Sequence, residues 1–295
     1  MFKQSRNGRK LAGARNVGVL LLIPMGLLAV GPQRAEKTIE TTPSPQISVS
    51  NLSGKVIVRG WDKPQIHVIY IMASPSQTGV DMEQLPSNSP ADKIHFTTYL
   101  VDRTGPVQGS AVDYTLQVPT GASLDIRNPQ GSVEVVSIQG DTSVESLSGN
   151  ISVADVAGHL SVRSVGGNID VARPSGRVEA YSINGNLHFV DPSSSKLQGS
   201  TTSGTIVYEG GFAPGGEYIL SDYSGNMDIM CPPTASFELN AKTVRGKLDN
   251  KFPLVSRRPS RPLFPSANSI FGTHSTGEAT LEVTSFSGAI HIHQQ

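Results

Sequence analysis

Charge is the first thing this chain lacks. Only 16% of its 295 residues are Asp, Glu, Lys or Arg. The basic residues are also badly placed for binding a polyanion. Five of them (Lys3, Arg6, Arg9, Lys10 and Arg15) fall in the first 31 residues, where there is no acid. Without that segment 19 basic residues face 24 acidic ones, a net of about −5. Nucleic-acid binding needs clustered basic surface, so a nucleic-acid partner is excluded. Cysteine is nearly absent: Cys231 stands alone, which rules out an intramolecular disulfide and a cysteine zinc cluster. It precedes Pro232 and Pro233 and reads as an idle, buried thiol, because a reactive one needs a basic, half-exposed setting. Aromatic residues amount to 6%, with the single tryptophan Trp61.

A long apolar run is lacking too. Val17 to Val30 (VGVLLLIPMGLLAV) is broken by Pro24 and falls short of the roughly 20 residues that a spanning helix needs. A basic stretch followed by a short apolar core is the order of an export signal. Ala29-Val30-Gly31 offers small residues at a cleavage spacing, with Pro32 unfavourably next. An uncleaved anchor through residues 17–30 is the alternative, holding the body to the inner membrane; it would be the only membrane contact. No cysteine follows the core, so a lipoprotein anchor is excluded. Either way the residues after about 35 are expected outside the cytoplasm, in the periplasm or at the cell surface.

What the chain has in excess is turn formers, with 30 glycines and 20 prolines. With few helix formers beside them, they point to an all-β protein. The glycines are periodic. Gly131, Gly140, Gly149, Gly158, Gly167, Gly176 and Gly185 recur every nine residues. They head units such as GSVEVVSIQ, GNISVADVA, GNIDVARPS and GNLHFVDPS. Each unit holds a short alternation, as in Ile151-Ser152-Val153, which puts Ile151 and Val153 on one face of a strand and Ser152 on the other. One such strand cannot bury its face alone, whereas stacked coils can. The expected fold is therefore a parallel β-helix-like solenoid of nine-residue half-turns, 18–21 residues per coil, with β caps. Its core is expected from Val133, Val135, Ile151, Val153, Leu160, Val162, Ile169 and Val171.

A period of 18 overlies the nine: Asn150, Asn168 and Asn186 follow alternate glycines, and Asn226 returns later. The glycines are expected at corners where a positive φ is cheap. The asparagines are expected to stack at one corner, tolerating a left-handed conformation, with each amide bonding to the next copy in a ladder. Later glycines (Gly204, Gly225, Gly246) are 21 apart, so those coils are longer. Divided on this basis, residues 1–35 are the signal or anchor and 36–119 an N-terminal cap region. Residues 120–250 are the solenoid, 251–276 an irregular insertion, and 277–295 the strands that complete the solenoid. Residues 73–92, rich in Ser, Pro, Gln and Asn, read as a loop.

Several segments carry a resemblance: ISVSNLSGKVIVRGWDKPQIHV near the start, VPTGASLDIRNPQGSVEV at 118–135, CPPTASFELNAKTVRGKLDN at 231–250 and TLEVTSFSGAIHI at 280–292. Together they resemble the DUF4097 family of adhesin-like bacterial proteins, over roughly 45–293. The resemblance implies an envelope location and a single-stranded β-helix architecture, with no known chemistry.

Candidate chemistry is sparse. His291 and His293 should share an outward face, but three or four ligands are usual for a metal. Neither a metal nor a cofactor is expected. Along one outward column run Glu134, Ser152, Asp170, His188, Val207 and Asp228; along the other, Ser143, Ser161 and Glu179. Carboxylates on every second rung look like a solvated face, unlike the clustered acids of polysaccharide-cleaving enzymes. No nucleophile elbow, Walker loop or dinucleotide fingerprint occurs. A possible interaction surface comprises Trp61 and the basic-aromatic set Arg257, Arg258, Arg261 and Phe264 in the second insertion. The expected function is non-enzymatic: an adhesin-like or scaffolding surface for an envelope protein or glycan. An anchored sensor ectodomain or, further off, a polysaccharide-active enzyme are the alternatives.

The register itself is testable. Val153→Asp should cost several kcal/mol in a chemical-denaturation measurement, on the scale of an unpaired buried charge. Ser152→Asp should cost about 0.5 kcal/mol or less. Equal costs would invalidate the inward register.

Overall fold

A computed structural model describes residues 31–87, 90–101, 111–255 and 268–295. Within them the chain is all β. In order, the strands are β1 (Gln33–Ser50), β2 (Val56–Trp61), β3 (Gln65–Met72), β4 (Thr78–Leu85), β5 (Ala91–Leu100), β6 (Val112–Pro119), β7 (Ser123–Arg127) and β8 (Val133–Ile138). Then come β9 (Thr142–Ser146), β10 (Ile151–Val156), β11 (Leu160–Ser164), β12 (Ile169–Ala172), β13 (Val178–Ser182), β14 (Leu187–Val190), β15 (Lys196–Thr201) and β16 (Ile206–Glu209). The last are β17 (Glu217–Asp222), β18 (Met227–Cys231), β19 (Phe237–Thr243), β20 (Leu248–Asn250), β21 (Ser269–His274), β22 (Ala279–Ser285) and β23 (Ile290–Gln294).

Each coil gives one strand to each of two facing sheets. In the first sheet β8, β10, β12, β14, β16 and β18 stack in parallel, and in the second β7, β9, β11, β13, β15 and β17 do the same. Ile151 sits over Val133 and under Ile169, one coil apart, and Leu160 sits between Thr142 and Val178. All eight expected core residues are buried. Ser152 is exposed beside them, as the alternation requires.

The coils do not stack in chain order at either end. Residues 46–50 of β1 lie between β5 and β7, and β2 lies between β6 and β8. The segment 46–61 is thus a coil inside the parallel stack. At the other end β22 and β23 slip between the coil of β17–β18 and the coil of β19–β20. The C-terminal strands are therefore the penultimate coil, and β20 is the outermost strand of its sheet. Antiparallel strands close the ends: β3 and residues 33–40 of β1 at one corner, β4 against β5, and β21 against β19. β4 occupies part of the expected loop 73–92, and β21 part of the expected irregular insertion. Both are short edge strands whose neighbouring Ser, Pro and Asn residues hide their alternation. β1 changes sheets between Thr41 and Gln46, where its register shifts. Pro43 and Pro45 fall there because proline cannot donate to a ladder.

The glycines and asparagines match the expectation in part. Gly54 and Gly131 have the positive φ expected at the corners, and the asparagines form the expected ladder, while the other column glycines and the asparagine backbones do not take left-handed conformations. Gly149, Gly167 and Gly185 have ordinary φ values. A Cβ on any of them would overlap the carbonyl oxygen of the glycine one coil below: Gly131, Gly149 and Gly167 respectively. They permit close approach of backbones rather than a positive φ. A second column, Gly140, Gly158 and Gly176, does the same at the opposite corner. The left-handed positions are Ser137, Asp155, Arg173 and Asp191, again 18 apart. Asn150 and its successors form a side-chain-to-backbone ladder. Asn150 Oδ1 accepts from Asn168 N at 3.2 Å, Asn168 Oδ1 from Asn186 N at 3.0 Å, and Asn186 Oδ1 from Thr205 N at 2.8 Å.

Three residues before each glycine of the first column stands a buried polar side chain. The Ser164 hydroxyl accepts from Gly167 N at 2.9 Å, Ser182 from Gly185 N at 2.9 Å, and Ser285 from Gly288 N at 2.8 Å. Asn128 fills the same place and donates to Gly54 O at 2.9 Å. Asp222 is the odd member, stacked between Thr201 and Ser285. It is 9% exposed, and neither carboxylate oxygen closes a hydrogen bond of good geometry. Burial raises its pKa above the usual carboxylate range, with the Ser285 hydroxyl and the Gly225 N–H only partly offsetting it.

Two predictions follow from these columns. Gly167→Ala should destabilise by about 3 kcal/mol, the upper range for overpacking, because rigid backbone blocks the new methyl. Gly166→Ala, whose Cβ would meet nothing nearer than Leu147 O at 3.6 Å, should cost less than about 0.5 kcal/mol. A pair of equal denaturation midpoints would refute the close-approach role. Asp222→Asn should stabilise the protein at pH 7 by about 1–3 kcal/mol, since it replaces a buried unsatisfied carboxylate with an amide that can donate as Asn128 does. Because the folded pKa is raised, the native state binds the extra proton. The destabilisation is therefore absent below the unfolded pKa of about 3.9 and grows as pH rises through the folded value. The melting-temperature gap between variant and parent should shrink on going from pH 7 to pH 4.

Candidate binding groove

The two sheets differ in what their outer faces leave open. On the first sheet, outward polar groups largely satisfy one another. Glu134 takes Arg59 at 2.9 Å and Lys55 at 3.5 Å, and the Arg59 guanidinium holds its carboxyl below the usual range. His188 lies between Asp170 at 3.5 Å and Glu209 at 3.2 Å, which extends the expected His188–Asp170 pair. At the left-handed corner Arg173 clamps Asp155 with two hydrogen bonds of 2.7 and 2.8 Å.

The outer face of the second sheet is hollowed. Register places His95, Ser48, Asp125, Ser143 and Ser161 in one row across β5, β1, β7, β9 and β11. Lys93, Gln46 and Ser123 form a row beside it. Between the rows lies a groove of about 460 Å³. A smaller hollow of about 280 Å³ continues it from Ser161 past Arg163, Glu179 and Tyr181 to Gln198 and Ser200. Among the described residues, the hydroxyls of Ser48, Ser123, Ser143 and Ser161, the Gln46 amide, the Lys93 ammonium and the His95 ring have no protein hydrogen-bond partner. Tyr181 is 43% exposed, and among the described residues no other ring stacks on it. The acids are occupied: Asp141 accepts from His159 N at 2.9 Å, Asp125 faces Arg127 at 3.6 Å, and Glu179 pairs with Arg177 and with His159 at 3.7 Å.

No family model matches this chain. No curated protein matches it either. Solved structures do give matches. One of a "putative cell adhesion protein" from Clostridium sporogenes ATCC 15579 is 11% identical, with a TM-score of 0.30, covering 90% of this chain and 100% of that one. A "putative adhesin" from Bacteroides fragilis NCTC 9343 is 10% identical, with a TM-score of 0.46, covering 88% and 97%. A third, a "putative adhesin" from Parabacteroides merdae ATCC 43184, is 6% identical, with a TM-score of 0.29, covering 69% and 90%. At these scores the likenesses carry no argument about this chain.

Of the residues singled out from sequence, Trp61 is half-buried at the end of β2, away from the groove. Its Nε1 donates to Gln65 O at 2.7 Å, Lys63 Nζ lies 4.9 Å from the ring centroid, and His67 stacks at 6.5 Å. Arg257, Arg258, Arg261 and Phe264 lie outside the described residues. His291 sits between Asp228 and Asp249 in its row, and among the described residues no group of three or more His, Cys, Asp or Glu could hold a metal. Cys231 is buried and its thiol is pushed up to about 12 by desolvation, which makes it a poor nucleophile. Ser143, Ser161 and Glu179 do form the outward row read from the repeat. Sequence reasoning missed that His95 joins that row and that Lys93 stands in the row beside it. The alternation of ADKIHFTTYL shows a strand, but no periodicity tells where the strand docks.

Proposed function

We propose that the chain is an exported, non-enzymatic, adhesin-like envelope protein that uses the groove on its second sheet to hold an envelope protein or glycan. The observation that carries this reading is a concave set of hydroxyl, amide, imidazole and ammonium groups with no partner among the described residues, gathered on the outer face of one sheet. Groups left open in a hollow are available for a ligand. The basic-then-apolar start of the chain supports export, and the resemblance to DUF4097 supports the envelope location. The non-enzymatic reading rests on the acids near the groove, each of which is committed to a backbone or a basic partner.

An anchored ectodomain is the second reading. Residue 30 ends the apolar segment and β1 begins at Gln33, so an uncleaved segment would leave almost no linker. N-terminal sequencing of the protein from its native envelope separates the two: a start beyond residue 30 removes this reading.

A photo-crosslinking residue at position 143, with position 152 on the first sheet as control, tests the groove in native cells. Adducts from 143 and few from 152 are expected. Equal yields, or adducts from 152 alone, would remove the groove from the function. Release of product from a glycan panel, lost on Asp170→Asn, would overturn the non-enzymatic reading.

A further inference from the structure

Resting on that reading of the groove, we infer that its ligand is a neutral glycan strand lying lengthwise along the solenoid, across the coils. Four observations point to this class.

The first is direction. The groove and its continuation run across seven strands, from β5 to β15, perpendicular to the strands themselves. Neighbouring strands are spaced by roughly 4.8 Å, so the trough is about 29 Å long. Its chemistry repeats at that step, which suits a polymer with a short, regular repeat of polar groups. An extended hexose chain has a repeat of similar length.

The second is hydrogen-bond type. Ser48, Ser123, Ser143 and Ser161 offer hydroxyls that donate and accept alike, and Gln46 adds an amide. A polyol is complementary to such a set, because each of its hydroxyls also does both. A peptide strand is poorly matched. It adds to a sheet edge through backbone groups, and here the backbones of β1, β7, β9 and β11 are spent in parallel ladders on both sides. The apolar residues at the groove floor, Ile47 and Leu124, are 2% and 4% exposed, so no pocket waits for an anchoring side chain.

The third is charge. Lys93 and Arg163 are set against Asp125, Asp141 and Glu179 along the trough. With His95 and His159 among them and most of the acids already paired, these charges are mixed in sign, so neither a polyanion nor a polycation would meet a face of one sign. An uncharged chain needs no such face.

The fourth is Tyr181. It lines the second hollow, 43% exposed, with neither face stacked on another ring among the described residues. It stands in the next outward row, level with Arg163 and Ser200. An aromatic ring at the side of a hydroxyl-lined trough provides a platform for the C–H face of a sugar.

The test uses the full chain and affinity electrophoresis through gels containing soluble neutral polymers (hydroxyethyl cellulose, galactomannan and glycol chitin in its N-acetylated form), with polygalacturonate as the acidic comparison. Retardation by at least one neutral polymer is expected, little changed between low and high salt because no charge pairing is lost. Tyr181→Ala should weaken it three- to tenfold, and Ser143→Glu or Ser161→Glu tenfold or more. Ser152→Glu on the other sheet should leave it unchanged. All four sites are on the surface, and matching melting temperatures confirm that the variants fold; Ser143→Ala, which only removes a hydroxyl, should give a smaller loss in the same direction.

Retardation by polygalacturonate alone, or binding that collapses with salt, overturns the neutral-glycan inference. So does the absence of any retardation together with a protein adduct from position 143, and that outcome leaves the groove reading standing. Retardation indifferent to Tyr181→Ala, Ser143→Glu and Ser161→Glu overturns both, since the sugar would then bind elsewhere.

Discussion

Everything in this fold depends on how closely one coil can lie on the next. At two corners of the repeat, successive backbones pass so near that a Cβ at Gly167 or Gly158 would overlap the carbonyl below it. Only glycine fits, and it recurs every nine residues for that reason. The close approach fixes the register of each ladder, and the register decides which side chains meet. Ile151 lands on Val133 because Gly149 lands on Gly131. The polar side chain three residues earlier is the companion constraint. A corner turning this tightly leaves backbone N–H groups facing inward, and Ser164, Ser182 and Ser285 accept them. Unsatisfied, each would cost about as much as a lost buried hydrogen bond.

Much of this was legible in the sequence, because a coil is a local object. Alternation around Ile151 and Val153 is enough to place the core, and a spacing of 18 is enough to place Asp170 under His188. The role of the glycines was read in part: Gly54 and Gly131 do take a positive φ, but Gly149, Gly167 and Gly185 serve close approach alone, and a turn residue and a close-approach residue are spelled with the same letter. The distinguishing sign was present in the polar residue three positions before each glycine of the first column, from NLSG at Asn51 to SFSG at Ser285. The partner accompanies close approach whatever the φ: Gly54 and Gly131, at φ 111° and 114°, have it in Asn51 and Asn128, as later glycines such as Gly167 and Gly185 have it in serine. The asparagine ladder was legible from the spacing of 18, and only its left-handed backbone was misplaced. Left-handed backbone falls at Ser137, Asp155, Arg173 and Asp191, whereas Asn150 and Asn168 carry coil-to-coil hydrogen bonds.

The order of the coils was not legible. Parallel coils of nearly equal length present similar ladder edges, so a coil can pair with a neighbour distant in the chain at little energetic difference. Here β1 enters between β5 and β7, and β23 between β18 and β20. Each swap follows a segment that turns the chain back: the antiparallel strands β3 and β4 at one end, and β21 at the other. These edge strands also cover ladder groups that a bare coil would offer to another chain. The groove is a by-product of the first swap, which brings Lys93 and His95 alongside Gln46 and Ser48, and then Asp125 and Ser143, to complete rows that no single stretch of sequence contains.

A groove built this way has a property that loops do not share. Its side chains stand on strands whose spacing is set by the glycine columns, so their positions are fixed before any ligand arrives. Ordering costs at binding are then confined to side chains, and serine has the least to lose of any hydroxyl-bearing residue. Each contact in such a row is weak. Several weak contacts at one fixed step add up only for a partner that repeats at the same step. For a partner of that kind, specificity would come from matching periods more than from any single residue. On the first sheet, built from the same coils, several outward groups are spent on one another, as Glu134 is on Arg59 and Lys55 and His188 on Asp170 and Glu209. The two faces share one backbone rhythm, and they differ in whether the polar groups set to that rhythm are already taken.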